Sequence, residues 1–245
     1  MEDKALLSTE EASGAEKAEL LIVIPAYNEA ENIERVVNHL TANFPQYDYV
    51  VVNDGSRDET AAICQRNGYN LLNLPVNLGL AGAFQAGLKY ADKYGYQYAV
   101  QLDGDGQHRP EYLEAMMKKM EEGYDIVIGS RFVGEKKPFT MRMLGSNLIE
   151  MAIRFTTGVN IKDPTSGMRM FSKRMIHEFA SGLNYGPEPD TVSYLIRQGA
   201  RVAEVPVIMD ERILGVSYLT PVNAMRYMLK MLISILLIQN FRKRR

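Results

Sequence analysis

The chain has 245 residues, 46% of them apolar and 24% charged. It is long enough to bury a substantial core as one large α/β domain or two small ones. Its single cysteine, Cys64, excludes an internal disulfide and points to a reducing compartment. The formal net charge of −2 gives no reason to expect a nucleic-acid partner.

Residues 1–19 carry six acidic residues against two lysines and read as a disordered leader; no signal peptide is visible. Leu20–Pro25 is a short apolar run, the pattern of a buried strand. Ile33, Val36, Val37 and Leu40 recur at helical spacing within Glu29–Ala42. Asp48–Asn53 is a second strand, closed by the turn Asp54-Gly55-Ser56. Ser56 or Asp58 is placed to cap a helix reaching to about Asn67. Asn70–Leu74 is a third strand, and Gly79–Tyr94 a helix rich in small residues. Tyr98–Leu102 is a fourth strand, Pro110 opens a helix to Glu122, and Asp125–Ser130 is a fifth strand. Beyond it lie a loop at Gly134–Pro138, a helix over Arg142–Thr157, and a turn at Asp163 running into an extended piece ending at Phe171. A helix over Pro189–Gln198 and a strand over Val202–Val207 follow. Strands alternating with helices imply a mainly parallel sheet, whose ligands bind at the carboxyl ends of the strands.

Tyr27, Asn28 and Glu29, Asp54, Asp103 and Asp105, and Arg131 all fall at such strand ends. In Asp103-Gly104-Asp105-Gly106 a buried strand breaks into a turn that presents two carboxylates together. They repel unless a cation lies between them, and oxygen ligands of this kind suit Mg²⁺ or Mn²⁺. The alternative is an Asp-Gly turn formed for conformational reasons alone.

The C-terminus has its own character. Arg226 to Arg245 holds six basic residues and no acidic one. The apolar run from Tyr227 is shorter than the about 20 residues a spanning helix needs, and Lys230 interrupts it. An interfacial helix with a polybasic end, lying on anionic lipid, fits this pattern. A helix docked on the core and a contact with a small integral membrane protein are the alternatives. The domain organisation expected is therefore a leader (1–19), a catalytic domain (20–217) and a C-terminal helix with a basic tail (218–245).

Ile24-Pro25-Ala26-Tyr27-Asn28-Glu29, Asn53-Asp54-Gly55-Ser56 and Asp103 to His108 together resemble family 2 glycosyltransferases of the GT-A fold. Gly129-Ser130-Arg131, Arg142 with Ser146-Asn147, Asp163 to Phe171, Glu204-Val205-Pro206, and Arg212 with Gly215-Val216-Ser217 resemble its dolichol-phosphate mannosyltransferase and polyprenyl-phosphate branch. The resemblance runs from Leu20 to Ser217. It implies that Pro25, Tyr27 and Glu29 line the base and ribose, that Asp54 accepts from the base, and that Gly82 lets the backbone approach the donor. The family often has two acids at Asn53-Asp54; here only the second is acidic. Asp103, Asp105 and Gln107 would hold the divalent cation (Mg²⁺ or Mn²⁺) and through it the diphosphate. His108, more often a hydrogen-bonding partner beside such a turn, is left out of that set. Arg131, Arg142 and Ser166 would hold an acceptor phosphate, and Arg212 and Ser217 the donor. Asp190 matches the position of a general base better than Glu188.

The implied activity is inverting transfer of a sugar from a nucleotide-diphosphate sugar to a lipid-linked acceptor, foremost polyprenyl phosphate. Asp105, Asp190 and Arg131 would be the catalytic set. The enzyme would work in the cytoplasm, held peripherally at the cytoplasmic face of a membrane, in cell-envelope assembly; a homo-oligomer is compatible with this. The rivals are transfer to a sugar hydroxyl of a growing polysaccharide or glycolipid, and a non-catalytic scaffold that keeps the nucleotide pocket. A dehydrogenase is disfavoured because no Gly-x-Gly-x-x-Gly follows the first strand. A P-loop enzyme is disfavoured because no Gly-Lys-Ser/Thr occurs.

Overall fold

The computed structural model describes residues 18–135, 137–138, 140–181, 186, 188–210 and 221–241. The leader through residue 17, Arg212, Ser217 and the last four basic residues lie outside the described residues, as does the side chain of Arg142.

Seven strands form one sheet: β1 (Leu20–Ala26), β2 (Asp48–Asn53), β3 (Leu71–Asn73), β4 (Tyr98–Gln101), β5 (Ile126–Ser130), β6 (Arg169–Ser172) and β7 (Val202–Pro206). Their order is β3-β2-β1-β4-β6-β5-β7. Every pairing is parallel except those of β6, which runs antiparallel to both β4 and β5. The mainly parallel α/β sheet expected from the sequence is present, with one reversed strand. Eight helices flank it among the described residues: α1 (Ile33–Asn43), α2 (Thr60–Arg66), α3 (Gly79–Lys93), α4 (Leu113–Glu121), α5 (Met141–Thr157), α6 (Lys173–Ser181), α7 (Pro189–Arg197) and α8 (Pro221–Leu236).

Every residue of β1 is buried, because both faces of a parallel sheet are covered by helices. Alternation sorts its side chains into two cores. Leu21 and Val23 pack with Phe84 and Leu88 of α3, Ile153 of α5 and Phe179 of α6. Leu20, Ile22 and Ile24 pack with Val37 of α1, Cys64 of α2 and Met116 of α4. Phe171 of β6 anchors the first core, 5.7 Å from Phe84 and 5.2 Å from Phe179 between ring centroids.

Gly87 shows how tightly α3 lies on the sheet: a Cβ there would stand 2.2 Å from Val23 Cγ1. A helical Gly→Ala change ordinarily gains about 1 kcal/mol. Here Val23 is stiff and central, so Gly87→Ala is expected to destabilise by about 1–2 kcal/mol through overpacking. The urea midpoint reads the sign, and an unchanged or raised midpoint would refute the close approach.

Two open alternatives are resolved and one element is added. Asp58, not Ser56, ties down the start of α2: its Oδ1 accepts from the Thr60 amide at 3.0 Å and its Oδ2 from the Ala30 amide at 3.1 Å. Helix α6 was not among the expected elements. Its buried residues, Met175, Ile176 and Phe179, follow β6 with no breaker between, so the helical spacing is hidden behind the extended piece. Helix α8 packs on α5 and α7, so its inner face takes the docked alternative.

Candidate active site

Three loops at the carboxyl ends of β1, β2 and β4 are stitched together by hydrogen bonds. After β1 the chain turns through Asn28, which has a φ of 56°, a left-handed conformation that Asn tolerates better than most residues. The Asn28 amide donates to Ser56 Oγ at 2.9 Å, and the Arg57 amide donates back to Asn28 Oδ1 at 2.9 Å. The Glu29 amide donates to Thr60 Oγ1, and Glu29 Oε2 accepts from Asn32 Nδ2 at 2.8 Å. After β2 the Asp54 amide donates to Ala26 O at 2.9 Å, while Asp54 Oδ1 accepts from the Leu78 amide at 2.7 Å. Gly55 has a φ of +64°, and a Cβ on it would lie 2.8 Å from the Asn77 nitrogen. Both facts require glycine there. Asn53, where the resembled family often has an acid, donates to Asn73 Oδ1 on β3 at 2.6 Å and accepts from the Ser56 amide at 3.3 Å. An Asn serves both bonds; a carboxylate could not donate the first.

After β4, Asp103 Oδ1 accepts from Gln101 Nε2 at 2.8 Å. The Asp103 amide donates to His108 Nδ1 at 3.0 Å, and His108 Nε2 lies 3.7 Å from Asp103 Oδ2. His108 thus accepts at Nδ1 as a structural partner of the turn. Asp105 Oδ1 accepts from the Gln107 amide at 3.0 Å. Gln107 Nε2 donates to Asp210 O at 3.1 Å, tying the turn to the chain after β7.

These loops enclose a cavity of about 490 Å³ lined by Pro25, Tyr27, Glu29, Asp54, Asp103 and Asp105 among others, a size that suits a small ligand. Six of the residues expected at the donor therefore converge. Gly82 does not line it: a Cβ there would meet Leu78 Cβ at 2.5 Å, so its role is close packing at the start of α3. The described lining holds four carboxylates and no Lys, Arg or His. A diphosphate is repelled by such a wall unless a divalent cation intervenes. Asp103 and Asp105, both partly exposed to the cavity, are the oxygen donors that fit Mg²⁺ or Mn²⁺. No group of three or more His, Cys, Asp or Glu converges as a metal site among the described residues, so water and donor oxygens would complete the shell.

At the end of β5 the guanidinium of Arg131 is gripped by Asp163. Nε donates to Oδ2 at 2.7 Å and Nη2 to Oδ1 at 2.8 Å. Asp163 is wholly buried and also accepts from the Arg131 amide at 3.1 Å. Glu204 of β7 accepts from the Lys162 and Asp163 amides, each at 2.8 Å. Sequence reasoning gave Asp163 no role; its signal was its place at the head of the Asp163–Phe171 segment, opposite Arg131. Ser166, expected at an acceptor phosphate, is buried and donates to Gly129 O at 2.5 Å. Its hydroxyl is spent pinning this loop to β5.

Asp190, expected as the base, is turned to the C-terminal helix. Its Oδ2 accepts from Ser234 Oγ at 2.5 Å and Gln239 Nε2 at 3.3 Å, and its Oδ1 from the Thr191 amide at 2.9 Å. It lies in the first turn of α7, whereas Glu188 is the residue just before the helix; two positions along, the side chain points elsewhere. Glu188 is the acid on the side of Arg169, a buried arginine whose field is set also by Asp163 and Asp103. Burial pulls the Arg169 guanidinium below its usual range, and those acids pull it back. Arg169 Nη2 donates to Pro164 O at 2.7 Å, while its Nε has no hydrogen-bond partner. Tyr227 of α8 donates to Glu188, and burial together with that carboxylate pushes the phenol well above its ordinary value.

The mostly parallel sheet with one reversed strand and the acidic cavity at its strand ends belong, with the family match that follows, to a glycosyltransferase that uses a nucleotide-sugar donor. The model of the family described as "Glycosyl transferase family 2" matches residues 21–179, and the chain belongs to that family. The chain is 32% identical to polyprenol monophosphomannose synthase of Mycolicibacterium smegmatis, over 86% of this chain and 84% of that protein. It is 31% identical to undecaprenyl-phosphate mannosyltransferase of Micrococcus luteus, over 81% and 86% respectively. Within the family it therefore resembles the polyprenyl-phosphate branch. Its fold is similar to that of glucosyl-3-phosphoglycerate synthase from Mycobacterium tuberculosis in complex with Mn²⁺, UDP and glucosyl-3-phosphoglycerate. The TM-score is 0.63 at 20% identity, covering 90% of this chain and 79% of that one, a likeness of fold.

Proposed function

We propose that the enzyme transfers a sugar, with inversion, from a nucleotide-diphosphate sugar to polyprenyl phosphate at the cytoplasmic face of a membrane. The observation that carries the reading is that the acidic cavity at the ends of β1, β2 and β4 and the Arg131–Asp163 pair at the end of β5 lie on the same edge of the sheet, one suited to a cation-bound donor and the other to an anionic acceptor. The synthases of M. smegmatis and M. luteus, named for polyprenyl-type acceptors, support the acceptor. Among the described residues no helix is long and apolar enough to cross a membrane, so the reading is one of peripheral association.

Pro25, Tyr27, Glu29 and Asp54 hold the nucleoside end of the donor. Asp103 and Asp105, with Gln107 beside them, hold Mg²⁺ or Mn²⁺, whose chemistry is to neutralise charge gathering on the leaving diphosphate. Asp163 fixes the Arg131 fork, leaving its other edge to the acceptor phosphate. That phosphate has a second pKa near ~6 and is an anionic nucleophile at neutral pH. It needs no base, which agrees with Asp190 being engaged by α8.

Full-length enzyme, assayed for nucleotide release across UDP- and GDP-sugars with Mn²⁺, should turn over only when polyprenyl phosphate is added and should yield a glycolipid. Release that ignores the lipid, or no turnover with any donor, would refute the reading. The acceptor class has a separate measure. Glu188→Gln should lower turnover by less than about tenfold with a phosphate acceptor, whereas a hydroxyl acceptor relying on that acid would lose roughly 10²–10⁴-fold.

A further inference from the structure

Asp210, a short way beyond β7, is bound to the turn after β4 by its backbone and its side chain together. Its amide donates to Gln107 O at 3.0 Å, and its carbonyl accepts from Gln107 Nε2 at 3.1 Å. Its Oδ1 accepts from Arg109 Nε at 2.9 Å and from Arg109 Nη2. The chain reaches this point by crossing the sheet. Val207 is still tied to β5, its amide donating to Ser130 O at 3.0 Å. Asp210 already lies on the turn of β4, on the other side of β6 in the strand order. Between them Met209 packs against the core of Leu20, Ile22 and Ile24, so the crossing is anchored at both ends and in the middle.

Position rather than energy distinguishes this clasp. The side chains of Arg109 and Asp210 are 41% and 43% exposed, and an ion pair in such a setting contributes little to stability. What the clasp fixes is Gln107. A glutamine side chain has a donor end and an acceptor end, and only its oxygen can ligate a hard cation. Asp210 O is an acceptor, so Nε2 has to face it; the reverse orientation would set two oxygens against each other. Gln107 Oε1 is thereby turned away from Asp210. The Gln107 amide in turn donates to Asp105 Oδ1 at 3.0 Å, which joins the clasp to one of the cavity carboxylates. We infer that Asp210, held by Arg109, is a positioning residue that presents Gln107 Oε1 to the divalent cation of Asp103 and Asp105. The inference rests on the cation site of the proposed function and adds the residues that orient its third oxygen.

The test is Mn²⁺ binding by the full-length enzyme, alone and with UDP or GDP, read from the paramagnetic resonance signal of free Mn²⁺. Asp210→Ala and Arg109→Ala should each weaken binding by about tenfold, the scale on which groups that orient a metal ligand act. Their urea midpoints should stay close to that of wild type. Charge alone has a different signature: loss of the Arg109 cation would strengthen Mn²⁺ binding, and loss of the Asp210 anion would weaken it. Opposite shifts in the two variants would therefore overturn the inference. Asp210→Asn loses the charge but keeps an oxygen for Arg109, and should retain most of the affinity. Gln107→Ala should weaken binding at least as much as Asp210→Ala, and combining the two should cost nothing more. Effects that multiply would mean that Asp210 acts independently of Gln107, and would overturn the positioning role. Unchanged binding by Asp210→Ala, beside a wild type that binds Mn²⁺, sinks that role and leaves the cation site standing. A wild type that binds no Mn²⁺ under any of these conditions sinks both.

Discussion

Asp103→Asn and Asp105→Asn are each expected to lower sugar transfer by roughly 10²–10³-fold at saturating donor and Mn²⁺. Either change halves the charge of the Asp103–Asp105 pair in the cavity, whose Glu29 and Asp54 would also repel a diphosphate. A cation that spreads charge off the leaving group is worth several kcal/mol, and each 1.36 kcal/mol is about tenfold in rate. Asn keeps the shape, so the bond between Asp103 and Gln101 and that between Asp105 and the Gln107 amide have near equivalents. The urea midpoint should stay close to that of wild type. Chelation by EDTA should abolish transfer in the parent enzyme, and added Mn²⁺ should restore it. A loss below tenfold in both variants, with full activity in EDTA, would remove the cation from the mechanism.

Asp163→Ala is expected to be the most damaging single change to stability. The carboxylate is wholly buried, and its Arg131 partner is only a quarter exposed. Removal leaves Nε and Nη2 of that guanidinium, and the Arg131 amide, without the carboxylate to which all three donate. Breaking a buried pair costs about 3–5 kcal/mol; the partial exposure of Arg131 puts the expectation near about 3 kcal/mol. In a chain of this size each kcal/mol moves the melting temperature by about 2–4 °C, so a fall of roughly 6–12 °C should appear by calorimetry. Asp163→Asn should recover part of it, since the amide oxygen still accepts from Arg131. A melting temperature within about 2 °C of wild type would show that the pair is ornamental.

The candidate donor cavity was legible because its lining residues sit in short contiguous runs. Pro25 to Glu29, Asp54 and the Asp103–Asp105 turn each follow a strand, and a parallel sheet brings strand ends together whatever the exact register. The acceptor side was less so. Ser166 and Asp190 fall at plausible positions in the sequence, yet their partners, Gly129 O and Ser234 Oγ, are 37 and 44 residues away. No local pattern reports such a bond. The reversal of β6 was hidden for the same reason: direction is decided by where a strand is inserted, between β4 and β5, and its four residues look alike either way round.

Helix α8 holds both acids of Glu188-Pro189-Asp190 from one side, Glu188 through Tyr227 and Asp190 through Ser234. These attachment points lie seven residues apart on one helix, close to two full turns, so they form a rigid two-pin hinge plate. A slip of the helix by a single turn, about 5.4 Å, would unseat both pins at once. Anything that tugs on the outer face of α8 is therefore felt, through one stiff part, at the entrance of α7.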